Sequence, residues 1–202
     1  MFTGIVEALA KVVAIEKDRG NVHFTLQASI TKDLHIDQSL SHDGVCLTIV
    51  KVFPELGQYV VTAVQETLDR SNLSTWLEGT EVNLERSMKM DGRFDGHMVQ
   101  GHVDQTARCI KVEEPEGSWK YFFEYDAEKG NITVQKGSIT VNGTSLTVVD
   151  SGKDFFSVAI IPYTFDHTNF HNFKPGSIVN LEFDVIGKYI AKIMQRYLED
   201  KD

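Results

Sequence analysis

The sequence predicts an all-β protein, two similar antiparallel barrels in tandem followed by one C-terminal α-helix. Three observations carry this. The chain repeats itself along its length, each repeat is a series of short β-rich runs broken by turn residues, and only the last stretch has helical apolar spacing.

The repeat emerges when the chain is slid against itself. At an offset of 97, the distance from Gly4 to Gly101, Gly4-Ile5-Val6-Glu7 falls on Gly101-His102-Val103-Asp104. The same offset sets Thr67 on Thr164, Asn72 on Asn169, and Val82-Asn83-Leu84-Glu85 on Val179-Asn180-Leu181-Glu182. Between these blocks the offset becomes 99, pairing Asp43-Gly44-Val45-Cys46-Leu47-Thr48 with Asn142-Gly143-Thr144-Ser145-Leu146-Thr147. Loops of slightly different length on either side of this block account for the change and for the return to 97. Four blocks in the same order make this a duplication.

In the first repeat, runs rich in Val, Ile, Thr and aromatics occupy 5–15, 23–28, 45–53, 59–64 and 81–86. Turn residues at 18–21, 43–44 and 55–57 separate them. In the second repeat the runs are 103–112, 121–125, 132–134, 138–141, 145–149, 155–161 and 178–183. Many short strands at this spacing suit small closed barrels, which leave no exposed sheet edge. Residues 67–77 and 164–173 read as short helices or helical turns, and the polar, Gly-containing stretch 88–96 as the linker. From Ile186, apolar residues at Tyr189, Ile190, Ile193, Met194, Tyr197 and Leu198 form one stripe of a helix. That stripe packs on its own barrel or on other subunits; the pattern allows both.

Composition narrows the function. The chain has 202 residues, long enough for two modest cores, and is 42% hydrophobic and 24% charged. With 20 Lys and Arg against 29 Asp and Glu, its net charge of −9 repels phosphate backbones and anionic lipids. Nucleic acid and membrane are therefore excluded as expected partners. The N-terminus shows no basic region ahead of a long apolar run, so the expected location is cytoplasmic. Cys46 and Cys109 have no CxxC spacing and read as reduced thiols. His97 with His102, and His167 with His171, lack a third ligand, so no metal site is expected.

MFTGIVE, DGVCLTIV, GHMVQGHVD, KGSITVNGTSLTVV and IPYTFDHTNF, in that order, resemble the riboflavin synthase α-chain family. The resemblance spans essentially the whole chain. It implies two six-stranded Greek-key barrels at 1–90 and 97–185 and a trimerising helix at 186–202. It implies a homotrimer, each active site lying between the N-terminal barrel of one subunit and the C-terminal barrel of a neighbour. Association with lumazine synthase is a further partner the family suggests. The reaction implied is the dismutation of two 6,7-dimethyl-8-ribityllumazine molecules per site, without a cofactor. The duplication then makes physical sense, because two copies of one ligand are held by two copies of one site.

The resemblance also assigns residues. His102, Ser39, Cys46 and Phe2 fall at catalytic positions. His102 would shuttle protons, since imidazole titrates near neutrality. Cys46 is either a nucleophile or a pocket wall. Thr48, Thr67, Gly4, Val6 and Gly101 fall at substrate-binding positions, with Thr3 beside Phe2. Lys136, Ser145, Thr147, Ile161, Thr164 and Asp184 do so in the second half. Taken alone, the threonines are ordinary strand formers, the Asp43-Gly44 and Asn142-Gly143 pairs ordinary turns, and Asn83 and Asn180 suit a backbone as well as a substrate. Two positions depart from the family pattern: Asp95 stands where a glycine is expected, and His42 where a small or apolar residue is usual. The rival readings are a non-catalytic, fluorescent lumazine- or flavin-binding protein of the same fold, and an oligonucleotide-binding barrel pair. Polar residues retained in both halves favour the enzyme over the first, and the acidic charge argues against the second.

Overall fold

A computed structural model of the chain describes residues 1–199. Six strands form the first barrel: β1 (Ala8–Asp18), β2 (Asn21–Ala28), β3 (Ser39–His42), β4 (Val45–Phe53), β5 (Gln58–Val64) and β6 (Glu81–Arg86). They close in the order β1-β2-β5-β4-β3-β6, every neighbour antiparallel. The return of β5 to the side of β2, after β3 and β4, is the Greek-key step. The second barrel repeats this cyclic order with β7 (Gln105–Glu113), β8 (Trp119–Tyr125), β9 (Ser138–Val141), β10 (Thr144–Ser151), β11 (Phe155–Ile160) and β12 (Ile178–Phe183). The last helix, α3, covers Val185–Glu199; residues 200–202 of the expected helix lie outside the described residues.

Period-two alternation fills each barrel. Along β4, Val45, Leu47 and Ile49 point inward and are buried, while Cys46 and Thr48 point outward. The first core gathers Phe24, Leu26, Leu40, Tyr59, Val61 and Leu84; the second gathers Tyr121, Phe123, Ile139, Phe156, Val158 and Leu181. Irregularities at Val12/Ala14 in β1 and Cys109/Lys111 in β7 sit one repeat apart, as do those near Ile49 in β4 and Val148 in β10. Such bulges bend long strands around a small barrel.

Several boundaries differ from the sequence reading. β3 had no counterpart there, because Ser39-Leu40-Ser41-His42 is short, has no β-branched residue and ends at a turn. The run 132–134 is not a strand; Ile132 and Val134 are exposed at 65% and 63%, beside α3. β1 and β7 start at Ala8 and Gln105, since the residues before them run across to the other barrel. The expected helical stretches resolve into α1 (Gln65–Arg70) and α2 (Pro162–His167). Each is followed by a 3-10 turn, Asn72–Thr75 and Asn169–Asn172.

Where the barrels meet, the two hairpin turns touch back to back. A Cβ on Gly44 would stand 2.9 Å from the Gly143 nitrogen, and one on Gly143 2.7 Å from that of Gly44. These glycines are required by close approach as well as by their positive φ. Around the turns runs a buried amide network with near two-fold repetition. The Asn83 amide donates to the Asn142 carbonyl and the Asn169 side chain, and the Asn180 amide donates to the Asp43 carbonyl and the Asn72 side chain. Asn83 and Asn180 are therefore spent holding the barrels together. The network has one asymmetry: Asp43 provides a carboxylate where its mate Asn142 provides an amide.

Candidate active site

The segments ahead of β1 and β7 exchange places. Phe2 and Val99 pair through two backbone hydrogen bonds, 2.8 and 3.2 Å, so the segments cross as a short ladder. Beyond the crossing, the Gly4 carbonyl accepts from the Ser145 N–H at 2.7 Å, and the Gly101 carbonyl accepts from the Cys46 N–H at 2.8 Å. Each barrel's leading segment thus straps the outer face of the other barrel. Glycine is needed at both straps. A Cβ on Gly4 would lie 2.6 Å from the Ser145 Cβ, and one on Gly101 2.7 Å from the Cys46 Cβ and 2.9 Å from the Phe2 ring.

Two buried carboxylates anchor the straps. Glu85 accepts from the N–H groups of Thr3 (2.6 Å) and Gly4 (2.9 Å) and from the Thr3 hydroxyl (2.9 Å). Glu182 accepts from the N–H groups of Gln100 (2.6 Å), Gly101 (2.9 Å) and His102 (2.9 Å). Burial pushes both carboxyl groups above their usual range, opposed by these same donors. Neither glutamate figured among the sequence-based site residues. The available signal was that both end the repeated Val-Asn-Leu-Glu block.

On the first barrel, Ser39 and Thr48 stand opposite each other on β3 and β4, with Cys46 two residues before Thr48 on the same outer face. Cys46 and Ser39 are half-buried and Thr48 is exposed. Gly101 crosses over Cys46 and presents His102, whose side chain is exposed, at the edge of this shelf. Phe2 is fully buried beneath Gly101, and Val6 is half-buried just before β1. Thr67 is half-buried on α1, which follows β5 directly, and its carbonyl accepts from the Ser71 hydroxyl. Below Ser39, a cleft of about 970 Å³ opens between the N-terminus and the linker, lined also by Thr3, Glu85, Met88 and Arg93.

On the second barrel, Ser145 and Thr147 occupy the matching outward positions of β10. Lys136, at a φ of 67°, leads into β9, and its N–H donates to Val148 of β10. Asp184 joins β12 to α3 and accepts from the Ile186 N–H at 2.9 Å. Ile161 precedes α2 and is 58% exposed; Thr164 lies half-buried on that helix. In a single chain both shelves are open ledges.

His97, read from sequence as a surface or structural histidine, is buried against the second shelf. Its Nδ1 lies 2.6 Å from the Ser145 hydroxyl and its Nε2 3.1 Å from that of Thr140. Burial lowers its pKa, with the Asp184 carboxylate working in the other direction. Gly96 permits this approach, since a Cβ there would sit 1.9 Å from the Thr3 carbonyl. Asp95 is exposed without a positive φ, so the local turn needs no glycine at that position. His42 points into the first barrel, its ring bonded to the Tyr59 hydroxyl and the Leu40 carbonyl. His167 and His171 bond to Tyr163, Phe165 and Glu81, and no metal-holding cluster occurs among the described residues.

Residues 3–87 and 100–184 each match the lumazine binding domain family. Over the full chain, the sequence is 38% identical to riboflavin synthase from Actinobacillus pleuropneumoniae and 37% to that from Bacillus subtilis, covering 93% of each relative. It is 41% identical to the Mycobacterium bovis riboflavin synthase, over 96% of this chain and 98% of that one. The chain belongs to the riboflavin synthase family. The same fold occurs in LumP, solved with 6,7-dimethyl-8-(1'-D-ribityl) lumazine (TM-score 0.81, 18% identity, 90% of this chain and 98% of that one). It occurs also in LumP with riboflavin (TM-score 0.82, 21% identity, 91% and 99%). In this chain the duplicated strand order and exchanged straps give two like ledges.

Proposed function

We propose that the chain catalyses the riboflavin synthase reaction, with the two barrel ledges as its substrate sites. Two molecules of 6,7-dimethyl-8-ribityllumazine dismutate. One passes a four-carbon unit to the other, giving riboflavin and 5-amino-6-ribitylamino-pyrimidinedione. Donor and acceptor start identical, so one is reduced as the other is oxidised and no external oxidant enters the balance. The observation that carries this reading is identity of 37–41% to riboflavin synthases along the whole chain, with polar residues kept on both ledges.

The chemistry asks mainly for positioning. Stacking two heterocycles in fixed register converts an encounter in solution into a unimolecular step, worth several kcal/mol of barrier. What remains is proton removal from the acidic 7-methyl group and addition to the partner's ring carbon. His102 is the proton shuttle of the first ledge. Ser39 and Thr48 bond the heterocycle there, with Cys46 as pocket wall or nucleophile and Phe2 beneath. Gly4, Val6, Thr67 and Gly101 line the approach, while Ser145, Thr147, Lys136, Ile161, Thr164 and Asp184 receive the second molecule.

Both ledges are open, so a neighbouring chain closes them: the first barrel of one subunit faces the second barrel of another. The apolar stripe of α3 supports that arrangement, with Ile186, Ile190, Ile193 and Tyr197 exposed at 60, 57, 63 and 54%. The assembly is a homotrimer in the cytoplasm, able to associate with lumazine synthase; no described helix is long and apolar enough to cross a membrane. The test is incubation with the ribityllumazine and no added cofactor. One riboflavin formed per two lumazines consumed is expected; unchanged lumazine bound to the protein overturns the enzyme reading in favour of a LumP-like binder.

A further inference from the structure

The two ledges are not chemically equivalent, and the difference lies at Ser145. Its counterpart Cys46 meets only backbone from the strap that covers it. Ser145 meets the Gly4 carbonyl through its N–H and, in addition, an imidazole through its hydroxyl. The geometry points to His97 as the positioning residue of the second ledge, one that sets the direction of the Ser145 hydroxyl toward the bound lumazine. This inference rests on the reading of Ser145 as a substrate contact.

A neutral imidazole has one N–H and one lone pair, and here each nitrogen faces a hydroxyl, at 2.6 and 3.1 Å. If Nε2 donates to Thr140, Nδ1 accepts from Ser145, and the serine oxygen turns its lone pairs to the ledge. If Thr140 donates to Nε2, Nδ1 donates to Ser145, and the serine proton is free for a carbonyl or ring nitrogen of the heterocycle. In either state the serine oxygen is held in place, and in the first its proton is fixed as well, so less remains to be ordered when substrate arrives. The first ledge has no such device. Cys46 is a weak hydrogen-bonding group, and no imidazole bonds to it among the described residues. Duplication made two like pockets, and His97 makes them different.

The site is held rigidly for this task. His97 is 8% exposed, its N–H donates to the Thr3 carbonyl at 3.1 Å, and Gly96 lets the strap lie against both Thr3 and Ser145. Burial and the Asp184 carboxylate act on the ring in opposite directions, leaving the neutral form favoured.

Two substitutions at one position separate positioning from mere packing. In His97→Asn the amide reaches about as far as Nδ1 and retains the Ser145 contact. In His97→Gln it reaches about as far as Nε2, toward Thr140, and leaves Ser145 free. Both remove the ring and cost similar packing. The kcat of His97→Gln is expected to fall roughly tenfold, the scale of one well-placed hydrogen bond, with His97→Asn within about threefold of the parent. Ser145→Ala should lower kcat as much, and adding His97→Gln to it should lower kcat no further. Equal losses in the Asn and Gln variants, or additive losses in the double variant, overturn the role given to His97. A parental kcat in Ser145→Ala instead overturns the reading of Ser145 as a substrate contact, a distinct failure. Should a His97 variant not fold, Thr140→Val tests the same role by releasing the far side of the ring from its hydroxyl partner. It should lower kcat severalfold when Ser145 is present and not in a Ser145→Ala background, and an unchanged kcat in both overturns the role given to His97.

Discussion

Replacing Asp43 by Asn makes the inter-barrel seam symmetric, and it is expected to stabilise the protein more at high pH than at low. Asp43 is buried in the seam, where its Oδ1 accepts from the Asn83 N–H at 2.8 Å and the Asn169 amide at 2.9 Å. Burial raises its carboxyl from 3.8 to about 8, against those donors. Between these values the folded chain holds a proton that the unfolded chain has lost. Stability contributed by this group is therefore full below pH 3.8 and falls as pH rises, reaching its floor above pH 8. At roughly 1.4 kcal/mol per pH unit, the loss is about 4 kcal/mol between pH 5 and pH 8. Asparagine keeps an Oδ1 acceptor, as Asn142 does toward the Asn180 N–H at 2.7 Å, and does not titrate. Urea unfolding of both proteins at matched concentration, at pH 5 and pH 8, gives the difference directly. The gap between variant and parent is expected to widen by about 4 kcal/mol in the variant's favour. A gap that stays constant with pH refutes a buried, protonated Asp43.

Three other expectations concern the core, the straps and the helix. Burial lowers His42 from 6.5 to about 4, so it folds neutral, and its stability contribution is lost as pH falls through that interval. His42→Val alone strands the buried Tyr59 hydroxyl and should cost roughly 1–3 kcal/mol; adding Tyr59→Phe should restore most of this in thermal melts at pH 7. Gly101→Ala, at a φ of 80° and against Cys46, should cost about 2 kcal/mol or more and weaken lumazine binding. Gly20→Ala, with nothing within 4 Å, should be near neutral in the same denaturation series. Ending the chain after Gly187 removes most of the apolar stripe and should leave single chains in sedimentation in place of the proposed homotrimer; an unshifted profile rejects α3 as the assembly element.

Much of this was legible in sequence because it is local or repeated. Alternation such as Val45-Cys46-Leu47-Thr48-Ile49 shows which face of a strand is core, and the offset block carrying Cys46 and Ser145 shows that both barrels present the same ledge. Short, Ser-rich β3 escaped because its four residues include no β-branched side chain and its second neighbour, β6, lies more than 40 positions away. The run 132–134 misled because isoleucine and valine suit a strand equally well when they lie exposed beside a helix. The exchanged straps were invisible for a different reason. The Glu85 and Glu182 bonds join residues about 80 positions apart, and no periodicity encodes them. The His97 contacts were hidden because its partners, Ser145 and Thr140, lie 48 and 43 positions away and no periodicity encodes them.

Everything proposed for this chain depends on its duplication offering two matched lumazine ledges. Titrating the protein with riboflavin or a non-reacting ribityllumazine analogue in a calorimeter measures it most directly. Two ligands per chain at saturation is the expected result. A single ligand per chain contradicts the paired-ledge account, since half of the duplication would then be scaffold.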